Sequence, residues 1–238
     1  MRLIFIRHAE PDYSIDSLTE KGWREAKLLA ERVSRWDVKQ FYVSPLGRAR
    51  DTASCTLKLM DREAVMYPWL REFEGHVTNT VTGYDHICWD LMPDHWTADE
   101  GMYDRNNWAG SDIMRTSTND VSEECRKVYD GIDNIMAEHG YERYGAYYKV
   151  KEHNDDTIVI FCHFGVSMVM LSRILGVSAP VLLQGCFMAP SSITVLNSEE
   201  RVDDLAYFRC QVIGDTSHLY MAGEPVSSSG YFAEAFSL

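Results

Sequence analysis

Short apolar runs and segments with helical spacing alternate along the chain. Residues 2–6 (RLIFI) and 157–161 (TIVIF) are rich in β-branched and aromatic side chains and end at polar residues, which predicts buried strands. Shorter apolar runs predict further strands at residues 41–43, 64–67, 192–196 and 205–213.

Helical patterns separate these strands. Thr19 is a candidate N-cap for a helix in which Trp23, Ala26, Ala30 and Val33 recur at intervals of three and four. Three more helices are predicted: one capped by Ser44, with Pro45 as its first residue, that runs to about Met60; one over residues 121–139; and a nearly all-apolar one over Val166–Leu175 that stops at Gly176.

Alternating strands and helices favour an α/β fold with a mainly parallel sheet that helices cover on both faces. We expect residues 1–238 to form a single domain of this kind. Residues 74–118 lack clear periodicity and combine three tryptophans with Gly, Asp and Asn. So long an irregular stretch predicts an inserted lid or substrate-specificity segment.

Charge narrows the possible partners. The chain has 23 Lys and Arg against 36 Asp and Glu, a formal net charge of −13. Its mean field repels phosphate backbones and anionic membranes, so we expect no nucleic-acid partner and no membrane partner. A phosphate-binding site would need a local cluster of positive charge.

The cysteines indicate a reducing compartment. All six are scattered, without a C-x-x-C pair or a dense framework. The first apolar run is too short for a signal peptide, and no stretch approaches the roughly 20 apolar residues of a membrane span. We therefore expect a cytoplasmic protein, while the sequence leaves its oligomeric state open.

Residues that could bind a ligand or take part in catalysis follow the ends of several predicted strands. Arg7 and His8 end the first strand, the turn 44–48 ends the second, and Glu72 and His163 come just after later ones. Ligands of parallel α/β sheets bind beyond the carboxyl ends of the strands. These remote pieces of sequence should therefore converge on one edge of the sheet.

The converging residues suit a phosphate group. Arg7 and Arg48 offer forked donors, and a helix N-terminus adds backbone N–H groups and partial positive charge. A neutral imidazole such as that of His8 can attack phosphorus and form a phosphohistidine. Neighbouring arginines favour the neutral imidazole by lowering its pKa.

These motifs, in this order and spacing, resemble those of the histidine phosphatase superfamily, in its phosphoglycerate-mutase-like branch. The resemblance rests on segments that cover about residues 1–75 and 157–219: Arg7-His8-Ala9-Glu10, Leu18 to Gly22, Ser44 to Ala53, Leu70-Arg71-Glu72, Cys162 to Gly165 and Gly214 to Leu219.

The resemblance implies a role for each residue. His8 would be the phosphorylated nucleophile, Arg7 and Arg48 would bind the phosphoryl group, and His163 would bind it and stabilise the transition state. Glu72 would protonate the leaving alcohol and then activate water. No metal or organic cofactor is implied.

Departures from the family pattern bear on the activity. Ala9 stands where Gly is usual, Asp51 where Gln is common, and Phe164 where a small residue is usual. The loop before Leu18 is short and lacks the extra Arg of the mutases. We therefore predict a phosphomonoesterase acting on a small phosphorylated metabolite, with a phosphoglycerate mutase and a non-catalytic phosphate-binding module as alternatives.

Several residues allow a second interpretation. Glu74 competes with Glu72 for the acid role, although the L-x-E match favours Glu72. We expect Arg50 to be solvated, Cys162 to be a small buried side chain, and His218 to support the site from behind.

The middle segment also leaves alternatives open. Polar residues within 85–95 resemble metal ligands but fit no closed zinc pattern, so we predict no metal site there. Trp89, Trp96 and Trp108 would either stack on a substrate or anchor the segment to the core, and the sequence favours neither.

Overall fold

The computed structural model describes residues 1–78, 83 and 85–231. Its strands are β1 (Arg2–Arg7), β2 (Pro11–Asp12), β3 (Ser17–Leu18), β4 (Gln40–Val43), β5 (Val65–Met66), β6 (His76–Thr78), β7 (Asp85–Ile87), β8 (Tyr141–Tyr144), β9 (Tyr147–Val150), β10 (Thr157–Cys162), β11 (Ile193–Val202) and β12 (Leu205–Asp215).

The α-helices are α1 (Glu20–Val33), α2 (Gly47–Met60), α3 (Pro93–Trp96), α4 (Val121–Glu138), α5 (Phe164–Leu175), α6 (Ala179–Gly185) and α7 (Ser217–Ala222). Short 3₁₀ turns occur at Pro68–Leu70, Glu100–Tyr103, Trp108–Gly110 and Met114–Thr116. Among the described residues, no helix combines the length and the apolar character needed to cross a bilayer.

One eight-stranded sheet organises the fold, in the order β5-β4-β10-β1-β11-β12-β9-β8. Strands β5, β4, β10 and β1 pair in parallel. The β11-β12 and β8-β9 hairpins extend the sheet in antiparallel fashion. The predicted α/β fold is confirmed, and its parallel strands are those that lead to the candidate site residues.

Both faces of the central strands are buried. In β1, Leu3 and Phe5 join a core cluster with residues of α4 and α5, whereas Ile4 and Ile6 join a second cluster with residues of α1 and α2. Side chains alternate between the faces of a strand, so a continuous apolar run requires cover on both. The predicted two-sided helical cover is therefore observed.

The register of β1 against β10 fixes the centre of the molecule. The two parallel strands pair from Arg2 with Thr157 to Arg7 with Cys162. The next amide, that of His8, donates to the Cys162 carbonyl at 3.0 Å. The two residues that follow the paired ends, His8 and His163, thus leave the sheet at the same level.

The observed N-cap of α1 is the one that the sequence predicts, whereas the observed N-cap of α2 is not. Thr19 caps α1 by accepting a hydrogen bond from the Gly22 amide at 3.0 Å. The predicted cap at Ser44 and Pro45 is wrong, because α2 begins at Gly47, whose amide donates to the Asp16 carboxylate at 2.6 Å. A carboxylate from a distant loop therefore replaces the local cap.

Two elements near the far edge of the sheet differ from the sequence pattern. The polar, Tyr-rich residues after α4 form the β8-β9 hairpin, which turns at Gly145 with φ of 60°. Strands β11 and β12 are longer than predicted, and Asp204 adopts φ of 60° at their turn. These strands extend beyond their apolar ends because antiparallel pairing, rather than burial, holds their polar residues.

The middle segment is anchored to the main core. Val77, Met102 and Trp108 are buried in the same cluster as Leu3 and Phe5. Residues 79–82 and 84 of this segment lie outside the described residues. The role of residues 74–118 as a lid stays a prediction.

A substitution in α1 tests how closely this helix packs against the loop that contains Glu10. A Cβ added at Gly22 would lie 2.2 Å from the Glu10 carbonyl oxygen. We expect Gly22→Ala to lower the free energy of unfolding by about 1–3 kcal/mol, because overpacking outweighs the gain in helix propensity. Urea unfolding measures the difference.

Gly185→Ala is the matched control for this substitution. Gly185 ends α6, and a Cβ there would meet nothing within 4 Å. We expect it to leave stability unchanged or slightly raised. Equal losses in the two variants would contradict the packing argument.

Candidate active site

The imidazoles of His8 and His163 form the centre of the site. Their ring centroids lie 5.1 Å apart with planes inclined by 56°. Both side chains are almost fully buried. Each follows a parallel strand that ends at the same level, so the sheet itself brings the two rings together.

One hydrogen bond orients His8. Its Nδ1 lies 2.8 Å from the Ala9 carbonyl oxygen, which can only accept, so Nδ1 carries the proton in the neutral ring. Nε2 then holds the free lone pair, and no hydrogen bond to Nε2 occurs within the described residues. The His8 carbonyl also accepts from the Ser191 amide at 3.0 Å, which fixes the backbone.

Ser44 orients His163. The His163 Nε2 lies 2.7 Å from the Ser44 Oγ, which also accepts a hydrogen bond from the Leu46 amide at 3.3 Å. The Ser44 hydroxyl therefore has its proton available for Nε2, which leaves the ring proton on Nδ1. Ser44 thus serves the site instead of capping α2.

Backbone carbonyls and aromatic rings hold the Arg7 guanidinium. Its Nη1 donates to the Met188 carbonyl at 2.5 Å, and its Nη2 contacts the Ser229 carbonyl at 3.5 Å. Its guanidinium also packs near the rings of Phe164 and Phe187. These contacts hold the guanidinium in one position.

Arg48 is held by an acidic partner that the sequence did not reveal. Its Nη1 forms an ion pair with Asp16 at 2.7 Å, and its guanidinium lies 5.4 Å from the centre of the Tyr13 ring. Asp16 also caps α2 through Gly47. The Asp16 carboxylate thus accepts from the first amide of this helix, and a role of the helix N-terminus in binding phosphate stays a prediction.

Three buried donors beside His8 have no protein acceptor among the described residues. They are the Nε of Arg7, the Nε of Arg48 and the Nδ1 of His163. A buried donor without an acceptor costs roughly 1–3 kcal/mol, and more when it is charged. Arg7 and Arg48 act electrostatically on His8 and the His163 ring lies beside it, so the three unpaired donors suit an anion bound next to His8.

Glu72, rather than Glu74, faces this group. The Glu72 Oε1 accepts from the amides of Phe73 at 2.9 Å and Val166 at 3.1 Å, at the start of α5. Its carboxylate interacts electrostatically with Arg7. Glu74 forms an ion pair with Arg71 at the surface instead.

Burial sets the protonation states in the site. Desolvation lowers the pKa of His8 well below its usual value, and the charges of Arg7 and Arg48 lower it further. Desolvation, followed by the influence of His8 and the arginines, does the same to the pKa of His163. Desolvation raises the pKa of Glu72. The site therefore favours neutral imidazoles beside a carboxyl group that holds its proton more tightly than usual.

His218 contacts the site indirectly, as predicted. Its Nε2 lies 3.2 Å from the Ser191 Oγ, and the Ser191 amide holds the His8 carbonyl. Burial lowers the pKa of His218 to about 4. A neutral His218 thus supports the loop behind His8.

The structure also shows the surroundings of the other residues for which the sequence allowed two interpretations. Arg50 is exposed. Cys162 is buried, and desolvation raises the pKa of its thiol to about 12, so it stays protonated. No group of three or more potential metal ligands occurs in the described part of the chain, where His86 instead pairs with Asp90 at 2.9 Å.

The three tryptophans have different surroundings. Trp108 is buried against Phe73 in the core. Trp96 packs on Tyr103. Trp89 packs edge-on against Phe164, and a Cβ at Gly165 would lie 2.6 Å from its ring. Of the three, Trp89 is the one adjacent to the candidate site.

The last described residues of the chain also reach the site. Ser227 donates to Glu10 at 2.6 Å, Ser229 contacts Arg7 through its carbonyl, and Tyr231 stacks on Phe187 with ring centroids 3.9 Å apart. No local pattern indicates this approach, because it depends on the path of the chain after α7.

Comparison with known families identifies the class of protein. Residues 3–210 match the profile of the histidine phosphatase superfamily, branch 1. The chain belongs to this superfamily. The predicted family and the predicted class of enzyme, a phosphatase, are thereby confirmed.

Relatives in sequence include proteins named as phosphatases and proteins named as mutases. Phosphoserine phosphatase 1 of Hydrogenobacter thermophilus is 26% identical over 213 residues, which cover 84% of this chain and 88% of that protein. The 2,3-bisphosphoglycerate-dependent phosphoglycerate mutase of Thermoplasma acidophilum is 36% identical over 72 residues, which cover 26% of this chain and 36% of the mutase.

Solved structures share the fold. The phosphoserine phosphatase of Entamoeba histolytica, in its H9A mutant complex with phosphoserine, superposes with a TM-score of 0.62 at 17% identity and covers 92% of this chain and 98% of its own. A mycobacterial glucosyl-3-phosphoglycerate phosphatase gives 0.62 at 18% identity, with 90% and 99% covered.

The protonation states can be measured by NMR. We expect the imidazoles of His8 and His163 to stay neutral as the pH falls through 6.5, and that of His218 to titrate near pH 4, because all three are desolvated. ¹⁵N spectra of labelled imidazoles, assigned with single His→Gln variants, give the three titrations.

The unfolded chain provides the reference, since its histidines titrate near 6.5. The native state binds fewer protons than the unfolded state below that pH, so stability should fall as the solution becomes more acidic. A His8 or His163 ring that titrates at 6.5 in the native protein would contradict the described burial.

Proposed function

We propose that the protein is a phosphomonoesterase in which His8 is the nucleophile and a phosphohistidine is the intermediate. The observation that carries this proposal is the set of three buried donors without protein acceptors beside the free Nε2 of His8. A phosphoryl group offers three oxygens to such donors, and its phosphorus is then within reach of Nε2.

In the first step, the His8 Nε2 lone pair attacks phosphorus and the bond from phosphorus to the ester oxygen breaks. Glu72 gives its proton to the departing oxygen, which leaves as an alcohol. Burial suits Glu72 to this role, because it raises the pKa of the carboxyl group.

In the second step, water attacks the phosphorus of phospho-His8 while Glu72, now a carboxylate, accepts a proton from that water. The P–N bond breaks, its electron pair returns to Nε2, and inorganic phosphate leaves. The Ala9 carbonyl holds the Nδ1 proton throughout, so the ring keeps one orientation in both steps.

Arg7, Arg48 and His163 stabilise the phosphoryl oxygens in this scheme. Arg7 and Arg48 carry fixed positive charge, and His163 donates through Nδ1 because Ser44 occupies Nε2. Donors held in place before the reaction need no rearrangement as charge develops in the transition state.

A small phosphate monoester is the substrate class that the charges favour. Asp16 neutralises part of the charge of Arg48. The short loop before Leu18 therefore contributes a carboxylate to the site instead of another cation. A mutase must also hold a second acidic group of its substrate, which this arrangement disfavours. Phosphoserine phosphatase 1, the relative with 88% coverage, supports the same choice.

The leaving group would contact the aromatic side chains around Arg7. Trp89, Phe164, Phe187 and Tyr231 lie on this side of the site. Trp89 belongs to residues 74–118, which supports a role of that segment in substrate specificity. We place the reaction in the cytoplasm, since all six cysteines are free thiols.

A covalent adduct tests the nucleophile. We expect brief incubation with a phosphate monoester, followed by rapid quenching at neutral or alkaline pH, to add about 80 Da (one HPO₃) to the peptide that contains His8. The adduct should be labile in acid, as a P–N bond is. His8→Ala should lose the adduct and almost all activity, whereas Arg50→Gln, an exposed neighbour of the site, should keep both.

The products separate hydrolysis from phosphotransfer. A phosphomonoesterase releases one phosphate for each ester consumed, without a bisphosphate primer, from a panel of phosphoamino acids, sugar phosphates, nucleotides and phosphoglycerates. Isomerisation of a phosphoglycerate without phosphate release would favour the mutase. Absence of both adduct and turnover across the panel would favour a non-catalytic phosphate-binding module.

Leaving-group dependence tests the acid. We expect Glu72→Gln to slow hydrolysis of an alkyl phosphate such as phosphoserine by about 10²–10⁴-fold, and that of nitrophenyl phosphate far less, because nitrophenolate leaves without a proton. The variant should also lose the fall in kcat/KM that deprotonation of Glu72 causes in the wild type as the pH rises.

Glu74→Gln is the matched control, since Glu74 pairs with Arg71 at the surface. It should keep the rate and the pH profile of the wild type. Loss of the alkaline limb in Glu74→Gln, but not in Glu72→Gln, would transfer the acid role to Glu74.

A further inference from the structure

A second cluster of positive charge lies at the far end of α5. A cavity of about 200 Å³ is lined there by Arg105, Asn106, Arg143, Arg173 and Gly176, together with small and hydroxyl-bearing residues. We call it the arginine cavity. No Asp or Glu is among the described residues that line it, although the chain as a whole carries a net charge of −13.

Two of the three guanidiniums have no ionic partner. Arg173 is paired with Asp133 at 2.6 Å. For Arg105 and Arg143, the described residues supply no ion pair. The cavity therefore concentrates uncompensated positive charge in a concave surface, where the field is stronger than over a flat one.

A hydrogen bond and an aromatic ring hold the Arg143 side chain in place, but one of its N–H donors has no acceptor among the described residues. Its Nε donates to the Gly145 carbonyl at 2.8 Å, and its guanidinium lies 5.0 Å from the centre of the Tyr148 ring. Its Nη1 is buried without an acceptor among the described residues. The Tyr148 hydroxyl interacts with this guanidinium but does not reach hydrogen-bond geometry with Nη1. An anion in the cavity would satisfy this charged donor.

The arginines do not serve as a cap for α5. The Ser172 carbonyl already accepts from the amides of Gly176 and Val177. Arg143 donates to its own hairpin, and no hydrogen bond from Arg105 to a carbonyl of α5 occurs in the described ranges. The simpler explanation, that these side chains neutralise the helix C-terminus through direct contacts, therefore lacks the contacts it needs.

We propose that the arginine cavity binds a small oxyanion of the phosphate type, at a site separate from the catalytic one. Arginine forks match the oxygens of phosphate. The volume is below the roughly 300–1,000 Å³ of pockets for drug-sized ligands, so the guest is a small ion or a phosphate group on a small molecule. Helix α5 has 12 residues, which places the cavity about 18 Å from His163.

The number of phosphate ions bound per chain tests the proposal. We expect isothermal titration with inorganic phosphate, at low ionic strength and in a His8→Ala background, to give two ions per chain. Arg105→Gln/Arg143→Gln should give one. Arg105→Gln alone replaces an exposed residue and does not disturb the hairpin. It should weaken the binding of the second ion by about tenfold or more.

Arg126→Gln is the matched control, because it removes an exposed arginine that lies on α4 outside the arginine cavity and pairs with Glu123 and Asp130. It should retain two ions. One ion in the parent protein that the double variant keeps, two ions in the double variant, or an equal loss in the control would each overturn the proposal.

Two further measurements locate the ion and identify its source. Crystals soaked in selenate should show anomalous density between Arg105 and Arg143, and density confined to the catalytic residues would contradict the site. Titration with glycerol 3-phosphate, which His8→Ala cannot hydrolyse by the proposed route, distinguishes the sources. If glycerol 3-phosphate binds more tightly than inorganic phosphate, and the double variant loses this binding, the ligand of the arginine cavity is a phosphate ester. If glycerol 3-phosphate binds more weakly, the ligand is the free ion.

Discussion

The parallel pairing of β1 with β10 is the constraint on which the site depends. The two strands are in register along their whole length, and each is followed at once by a histidine. Because parallel strands end on the same edge, the two imidazoles meet with their ring centroids 5.1 Å apart. A slip of one residue would turn one ring to the other face of the sheet and separate the pair.

Burial gives these residues their chemical character. The same desolvation that lowers the pKa of His8 and His163 raises that of Glu72, so neutral imidazoles lie beside a carboxyl group that retains its proton more readily. The arginines oppose protonation of the rings without needing to touch them. Burial also leaves donors of Arg7, Arg48 and His163 without acceptors, a cost that the rest of the core offsets.

Carboxylates limit the positive charge of the site. Asp16 binds both Arg48 and the start of α2, and Glu72 accepts hydrogen bonds at the start of α5. Both helix N-termini nearest the imidazoles therefore hold protein carboxylates. In the proposed reaction the phosphoryl group is left to the guanidiniums and His163, which limits how much negative charge the site can accommodate. The arginine cavity, which no acidic side chain lines among the described residues, has the opposite balance.

The sequence by itself determined the strands that carry the site, the cap of α1 and the residues that gather beyond the strand ends. Each follows from local composition: continuous apolar runs such as 157–161 have no stable place except inside a sheet, and the polar residues after them must lie at its edge. The L-x-E match of the family resemblance placed Glu72 ahead of Glu74; in the structure Glu72 is buried near Arg7 and Arg48, whereas Glu74 pairs with Arg71 at the surface.

Only the tertiary structure decided the cap of α2, the ion pair of Asp16 with Arg48, the hydrogen bond of Ser44 with His163, and the approach of Ser229 to Arg7. Each of these contacts joins residues that are 31 or more positions apart. Ser44 had the local pattern of a helix cap, but a distant carboxylate took that position. Such pairings are chosen by competition among all groups that the fold brings together, and no local pattern contains that information.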